Sequence, residues 1–334
     1  MKKRNPKILV FRYRFLGDTI LTIPFLKQLK QAYPESYVAV LVAPQSGVLL
    51  QNCPFVDELI EFDTTRFHKY DSGSLEKKSF WYYAQEIRKR KFDIAFVLKR
   101  SFSSAFLSWV AGIPQRIGFN TEYRGIFLTK KINFQLKQHE VINFLNHLEE
   151  PYNQAPSKGD KMFWPTPQEK SKAINLLKSL NPNQKKILIH AASANPHKMW
   201  TLNNWASLLF HLKKKNYSII LSGAPLDGQY YEEICERAEI NVDLNLCETQ
   251  TTLRENISVY EHCNLAICVD SGPMHLAAAV GVPILGLFGP SDPDRWSPWS
   301  NQYKIIQSVD GNLSSIKVDE VIQSVGEIIG IEPI

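Results

Sequence analysis

Between Val269 and Trp296 the chain gathers residue types that could hold an anion. Leu265 to Val269 is a short apolar run, which predicts a buried strand. Asp270-Ser271-Gly272 forms a turn, and Pro273 pre-sets φ for a helix that runs to about Val280, where Gly281 stops it. Pro283 to Phe288 is the next buried strand. Strand, polar turn, helix start and strand together present unpaired backbone N–H groups to an anion. Asp270, Ser271, Gly272, Met274 and His275 lie at that helix start. The residues alone leave two readings open. One is a pocket for the diphosphate of a nucleotide-sugar. The other is an ordinary βαβ unit, with Ser271 as a helix cap and His275 as a satisfied, half-buried residue.

A second constellation follows the first strand, Ile8 to Phe11. Gly17 allows a tight turn, and Asp18 falls at the carboxyl end of the strand, where open parallel sheets carry their ligand chemistry. Asp18 could serve as a base or as a helix N-cap, a position aspartate favours. Arg12, Arg14, Lys99, Arg100, Arg116, Arg124 and Lys130 all fall at strand ends or in loops. Guanidinium forks suit carboxylates and phosphates. The alternative for any one of them is a solvated basic face.

Alternating apolar runs and amphipathic segments supply the frame. After the first strand, Thr19 to Ala32 steps Ile20, Ile23, Leu26 and Leu29 at helical spacing, and Tyr33-Pro34 ends it. Tyr37 to Val42 and Val56 to Phe62 read as strands. Lys69 to Gly73 is turn-like, and Leu75 to Lys91 is a helix whose basic tail suits the macrodipole. Strand Phe92 to Leu98, helix Phe102 to Ala111, short strand Arg116 to Phe119 and helix His139 to Glu150 follow. Pro151 to Pro167 is rich in Pro, Asn, Ser and Gly and reads as a linker. The alternation then resumes, with strands Lys186 to His190, Tyr217 to Ser222 and Val242 to Leu244. Helices Gln168 to Leu180, Leu202 to Lys214, Gln229 to Ala238 and Thr252 to His262 separate them, and Val318 to Ile329 closes the chain. Such alternation predicts parallel sheets with crossover helices in two domains, residues 1–160 and 161–334.

The chain has 334 residues, 44% hydrophobic and 22% charged, a globular composition with room for two cores. Its longest apolar stretch, Leu276 to Phe288, is broken by Gly281 and Pro283 and is too short to span a bilayer. The basic amino terminus leads into a strand rather than a signal-peptide segment, so a cytoplasmic protein is expected. The five cysteines show no paired CxxC spacing, against a disulfide framework or a zinc site. Residues 1–165 hold 25 Lys/Arg against 15 Asp/Glu, and residues 166–334 hold 14 against 18, so the halves carry +10 and −4. The basic half suits an anionic partner: an acidic glycolipid, a membrane surface or nucleic acid.

Val269-Asp-Ser-Gly-Pro-Met-His-Leu-Ala-Ala-Ala279, followed by Leu287-Phe-Gly-Pro-Ser-Asp-Pro-Asp-Arg-Trp296, resembles the signature of glycosyltransferase family 9, the heptosyltransferases of lipopolysaccharide core synthesis. The resemblance covers both ends of the chain, while residues 62–101 match only in pattern. It implies a GT-B architecture, two Rossmann-like domains facing a central cleft, with acceptor bound by the first and nucleotide-sugar by the second. It implies an inverting, metal-independent transferase moving heptose from ADP-heptose to an acidic Kdo–lipid A inner core. Leu16-Gly17-Asp18 matches the family motif whose aspartate is the general base. His190-Ala-Ala-Ser-Ala-Asn-Pro-His-Lys-Met-Trp200 resembles the family segment with a lysine before tryptophan, which makes Lys198 the cation for the leaving diphosphate and Ser193 a phosphate contact. Asp227 stands where the family carries an acid for the donor ribose, although the family form has more flanking glycine and acid. Arg12, Arg14, Lys99, Arg100, Arg116 and Arg124 are the implied acceptor contacts, and His139-Glu140 resembles a family His-Glu pair.

Asp292-Pro-Asp294 contains the letters DxD but sits in the family's own turn, so it is read as structural and no metal is expected. No cofactor beyond the nucleotide-sugar co-substrate is implied, and a peripheral contact with the inner membrane is a further expectation. The alternatives are a GT-B transferase with another nucleotide-sugar, a GT-B-type epimerase, or a basic nucleic-acid- or glycolipid-binding protein without catalysis. No reading module for nucleic acid is recognisable. No G-x-G-x-x-G follows the first strand, which disfavours a dinucleotide oxidoreductase.

Overall fold

The computed structural model describes residues 5–12, 14–62 and 78–330. The chain divides into two compact units, Met1–Ser157 and Lys158–Ile334. In the first, the elements run β1 (Lys7–Phe11), α1 (Leu16–Ile20), α2 (Ile23–Ala32), β2 (Tyr37–Val42), α3 (Pro44–Gly47), β3 (Glu58–Glu61), α4 (Phe80–Arg90), β4 (Ile94–Val97), α5 (Phe102–Val110), β5 (Gln115–Phe119), β6 (Lys130–Ile132) and α6 (Glu140–Leu145). The second opens with α7 (Pro167–Leu177), β7 (Lys186–His190), α8 (Leu202–Lys214), β8 (Ser218–Leu221), α9 (Gly228–Ala238), β9 (Leu244–Asn245) and α10 (Leu253–Tyr260). It continues with β10 (Leu265–Val269), α11 (Gly272–Ala279), β11 (Ile284–Phe288), α12 (Pro293–Trp296), β12 (Tyr303–Gln307) and α13 (Val318–Ile329).

Both sheets are parallel. The first has the order β3-β2-β1-β4-β5-β6 and the second β12-β11-β10-β7-β8-β9, the same doubly wound order read from the opposite edge. In each, the chain starts at mid-sheet, builds to one side, then crosses to the other. The reversal lies between β1 and β4 and between β7 and β10, and the crevice beyond those carboxyl ends is where such sheets take ligands.

The central strands are apolar along nearly their whole length because helices cover both faces of a parallel sheet. Ile8 to Phe11 and Leu265 to Val269 are wholly inaccessible. Burial stabilises each such side chain by about 1.5–3 kcal/mol. The strand ends that carry the polar turns are therefore fixed positions. The five cysteines are free thiols and four are buried; burial pushes the Cys53, Cys247 and Cys263 thiols up to about 12.

Several expectations change. The single helix over 19–32 is two, α1 and α2, with Pro24 near the start of the second. Proline has no N–H to donate and crowds the carbonyl four residues back, so the chain restarts rather than continues. The helix expected over 139–150 ends at Leu145, after which tighter bonds from His147 N to Phe144 O (3.1 Å) and from Leu148 N to Leu145 O (2.9 Å) take over. β6 and β12 lie where no strand was expected. The turn expected over 69–73 and the expected helix start at 75–77 lie outside the described residues. Among the described residues no helix is long and apolar enough to cross a membrane, and no group of three or more His, Cys, Asp or Glu could hold a metal ion.

Candidate active site

In the first unit, four of the expected residues sit at the ends of β1 and β4. Arg12 follows β1, where its N–H donates to Leu41 O at 3.0 Å. Its guanidinium lies 4.8 Å from the centre of the Phe144 ring and pairs with Asp18. Asp18 is not the N-cap of α1 but its third residue. One carboxylate oxygen meets Arg12; the other accepts from the N–H of Phe15 at 3.1 Å. Each oxygen retains a second lone-pair site, so a carboxylate held in this way can still accept a proton. Its side chain is 15% exposed.

Lys99 follows β4, and its N–H donates to Phe11 O at 3.2 Å, tying the two strand ends together. Burial pulls the Lys99 ammonium below its usual range, the neighbouring Arg12 adds to this, and Asp18 opposes it. Arg100 lies 4.0 Å over the Phe134 ring and 4.0 Å from the buried Glu140 carboxylate. Arg14 is half-buried in the turn before α1. His139 caps α6, its Nδ1 accepting from Val141 N at 3.2 Å. Arg116 and Arg124 are placed differently. Arg116 donates to the carbonyls of Phe127 (2.6 Å) and Ile113 (2.5 Å). Arg124 is 1% exposed and donates to Thr121 O (2.7 Å) and Lys99 O (3.3 Å). Both hold loops; Arg124 holds the loop that carries Lys99 and Arg100.

In the second unit, Lys198 and Asp270 meet across the switch point. Lys198 closes a short turn after β7 in which Ser193 Oγ accepts from Asn195 N (3.2 Å) and Asn195 Oδ1 from His197 N (3.0 Å). Its ammonium donates to Asp270 Oδ2 at 2.6 Å. Asp270 is buried at the end of β10, and its N–H donates to Leu287 O at 3.1 Å. Ser271 is the extended N-cap of α11, but its hydroxyl donates back to Val269 O at 3.2 Å rather than capping. Gly272 opens α11, and Met274 and His275 are buried in its first turns. Helix starts leave their first N–H groups outside the intrahelical ladder and favour negative charge, and here the Lys198 ammonium stands beside one.

Asp227 follows β8, where its Oδ2 accepts from Ala224 N at 2.7 Å. Asp292 accepts from Asp294 N at 3.0 Å and caps α12, the structural turn expected of Asp292-Pro-Asp294.

Sequence reasoning missed the supports beneath this site. The Tyr231 hydroxyl donates to Ser222 O (2.6 Å) and accepts from Ala191 N (2.9 Å), while His190 Nδ1 donates to the same Ser222 carbonyl (2.7 Å). Burial pushes the Tyr231 hydroxyl up and the His190 imidazole down, which keeps both neutral. The ends of β7 and β8 are thereby locked together. Trp200 fixes the far end of the lysine loop, its indole N–H donating to Ile316 O at 3.1 Å. Gly289, just past β11, makes room for the turn at Gly311–Leu313, since a Cβ there would lie 2.7 Å from a Leu313 methyl and 3.1 Å from Gly311 O. In sequence, a tyrosine in an amphipathic helix looks the same whether it packs or positions. The one available signal was the adjacency of Trp200 to the lysine loop.

Comparison with known proteins bears on the family and the fold. The family model of glycosyltransferase family 9 (heptosyltransferase) matches residues 80–324. Lipopolysaccharide heptosyltransferase 2 of Escherichia coli K12 is 28% identical over 319 residues, covering 91% of this chain and 89% of its own. The crystal structure of a family 9 glycosyl transferase from Veillonella parvula superposes with a TM-score of 0.83 at 25% identity, over 97% of each chain. E. coli ADP-heptose lps heptosyltransferase II gives 0.78 at 25% identity, over 97% of this chain and 98% of its own. With the family match spanning both switch points' later strands, and with the doubly wound sheets of the GT-B class on either side of residue 157, the chain belongs to glycosyltransferase family 9, the heptosyltransferases.

Proposed function

We propose that this glycosyltransferase moves heptose from ADP-heptose to an acidic lipopolysaccharide inner-core acceptor, Kdo–lipid A, with inversion and without a metal. The first unit takes the acceptor and the second the nucleotide-sugar. The observation that carries the reading is the Asp18 carboxylate, fixed at both oxygens at the switch point of the first sheet. The relatives named above support the heptose donor and the lipopolysaccharide acceptor.

Asp18 takes the proton of the acceptor hydroxyl as its oxygen attacks the anomeric carbon from the face opposite the diphosphate. The new C–O bond forms as the bond to the phosphate oxygen breaks, and ADP leaves with the electron pair. Preorganised donors stabilise that growing charge most when they need not move. The first-turn N–H groups between Ser271 and His275, the His275 side chain and the Lys198 ammonium are those donors, with Ser193 beside them. Lys198 supplies the positive charge a metal would otherwise bring. Asp227 receives the ribose hydroxyls, as carboxylates do in dinucleotide sites. Arg12, Arg14, Lys99 and Arg100 meet the acidic acceptor, and Arg116 and Arg124 hold their loops. The partners are these two substrates and no nucleic acid.

Calorimetric titration with ADP, UDP and GDP in the presence of EDTA tests the donor assignment. Selective ADP binding, weakened by Lys198→Ala, is expected. Selective UDP or GDP binding would replace the donor while leaving the fold class intact.

A further inference from the structure

The first unit carries an aromatic surface that the proposed chemistry does not use. Phe80 stacks on Phe106 (5.5 Å between ring centres), and Phe106 also meets Phe102 (6.2 Å), Trp109 (5.8 Å) and Phe127 (5.2 Å). Phe127 in turn meets Phe102 (5.1 Å) and Trp109 (5.5 Å), and Trp81 leans edge-on against Phe80 (5.6 Å). One continuous group of rings thus joins the start of α4, the length of α5 and the 3₁₀ turn at Arg124–Phe127. Its outer members face solvent: Trp81 is 61% exposed, Trp109 50% and Ile126, next to Phe127, 75%. Lone exposed apolar residues are ordinary, but a contiguous aromatic surface marks an interaction site.

The charge around it selects the partner. Residues 78–131, which carry the rings, hold eleven Lys/Arg against three Asp/Glu, and of these Arg90, Arg100 and Lys130 pair with Glu58, Glu140 and Glu149 outside that stretch. Several of these cations border the rings. The Lys78 ammonium lies 4.6 Å over Tyr82, Arg88 donates to Val110 O (3.0 Å) just past Trp109, and Arg116 donates to Phe127 O (2.6 Å). Tryptophan, tyrosine and phenylalanine ringed by Lys and Arg match the boundary between headgroups and acyl chains, where amphipathic rings settle and basic side chains meet anionic lipid. The cations placed beside the rings favour an anionic lipid surface over an uncharged protein face.

We propose that this surface docks the protein on an anionic lipid bilayer. Resting on the acceptor assignment above, it would also deliver a lipid-borne acceptor. Lys99 and Arg100 immediately precede the Ser101 N-cap of α5, and Phe102, the exposed first residue of that helix, belongs to the ring cluster. The acceptor loop therefore begins where the bilayer contact ends.

The test is vesicle flotation of the full chain without substrates, using phosphatidylethanolamine vesicles with and without about one third phosphatidylglycerol. Wild type is expected to float with the anionic vesicles only, and less so as salt rises. Trp81→Ser with Trp109→Ser is expected to weaken binding at least tenfold. Lys78→Glu, which leaves the rings intact, is expected to weaken it severalfold. Circular dichroism melting and turnover of a water-soluble, acyl-free acceptor check that the variants remain folded and are both expected to be unchanged. Equal flotation with neutral vesicles, or unaltered flotation of both variants, would overturn the proposal. So would sedimentation showing self-association that the tryptophan substitutions abolish, since the rings would then serve a second copy of the chain. Flotation requires no transfer, so its failure and failure of the heptosyl reading are separately visible.

Discussion

The ammonium of Lys198 lies 2.6 Å from the carboxylate of Asp270, so the loop after β7 is joined to the end of β10 across the point where the second sheet reverses direction. The Asp270 side chain is 7% exposed and that of Lys198 27%. Removing the lysine strands a buried carboxylate.

Lys198→Met is expected to destabilise the second unit by about 1–3 kcal/mol, less than a fully buried pair because the lysine is partly solvated. Lys198→Met with Asp270→Asn should recover most of that loss in thermal unfolding. ADP affinity measured by calorimetry should stay at least tenfold down in both. Restored affinity in the double variant would make the pair a structural tie only.

Gly223 sits among the groups that hold Asp227. A Cβ there would lie 2.8 Å from Cys247 Sγ and 3.0 Å from both Asp227 Oδ2 and the Tyr231 ring. Overpacking of this kind costs about 1–3 kcal/mol. Gly223→Ala is expected to weaken binding of ADP more than binding of pyrophosphate, because the ribose contact moves while the helix start of α11 does not. Equal loss for both ligands would place Asp227 outside the ribose site.

Arg124 donates to Lys99 O, and on the proposed reading it thereby supports the acceptor loop. Arg124→Met is expected to raise the KM for acceptor severalfold and to leave donor affinity unchanged. A loss of kcat with unchanged KM would instead point to a direct part in the transition state.

His147 gives the first unit a pH dependence. It is buried against the rings of Phe119 (4.4 Å) and Phe25 (6.4 Å), its Nδ1 donates to Phe144 O (3.0 Å), and burial pulls its pKa down to about 4. The unfolded chain takes up the proton near pH 6.5, well before the folded one does. Stability is therefore complete above about pH 6.5 and declines as pH falls toward 4. Between pH 7.5 and 4.5 the wild type is expected to lose about 2–3 kcal/mol more than His147→Gln, read from urea unfolding at each pH. Parallel pH profiles would contradict this.

The frame was legible in sequence where physics is local. Lys186 to His190 is apolar at its three central residues and Leu265 to Val269 throughout, and Leu202 to Lys214 and Val318 to Ile329 keep a helical period; each of these elements has the bounds read for it. β6 and β12 were not legible because each is a short, half-exposed edge strand without an apolar run. The polar turns of the site were visible as turns, but not their partners. Lys198 and Asp270 are 72 residues apart, and only the strand order brings them together. Nothing local in the sequence shows that Arg116 and Arg124 donate to the backbone carbonyls of Phe127, Ile113, Thr121 and Lys99.

The most direct measurement of the central claim is transfer itself. The pure protein is given ADP-heptose and a Kdo–lipid A acceptor in EDTA, and the product is followed by mass and by the anomeric configuration of the new linkage. The account predicts an inverted heptosyl product from wild type. It predicts a rate on the order of 10²–10⁴-fold lower from Asp18→Asn, with ADP affinity unchanged. Retention of configuration, or an Asp18→Asn variant as fast as wild type, would contradict it.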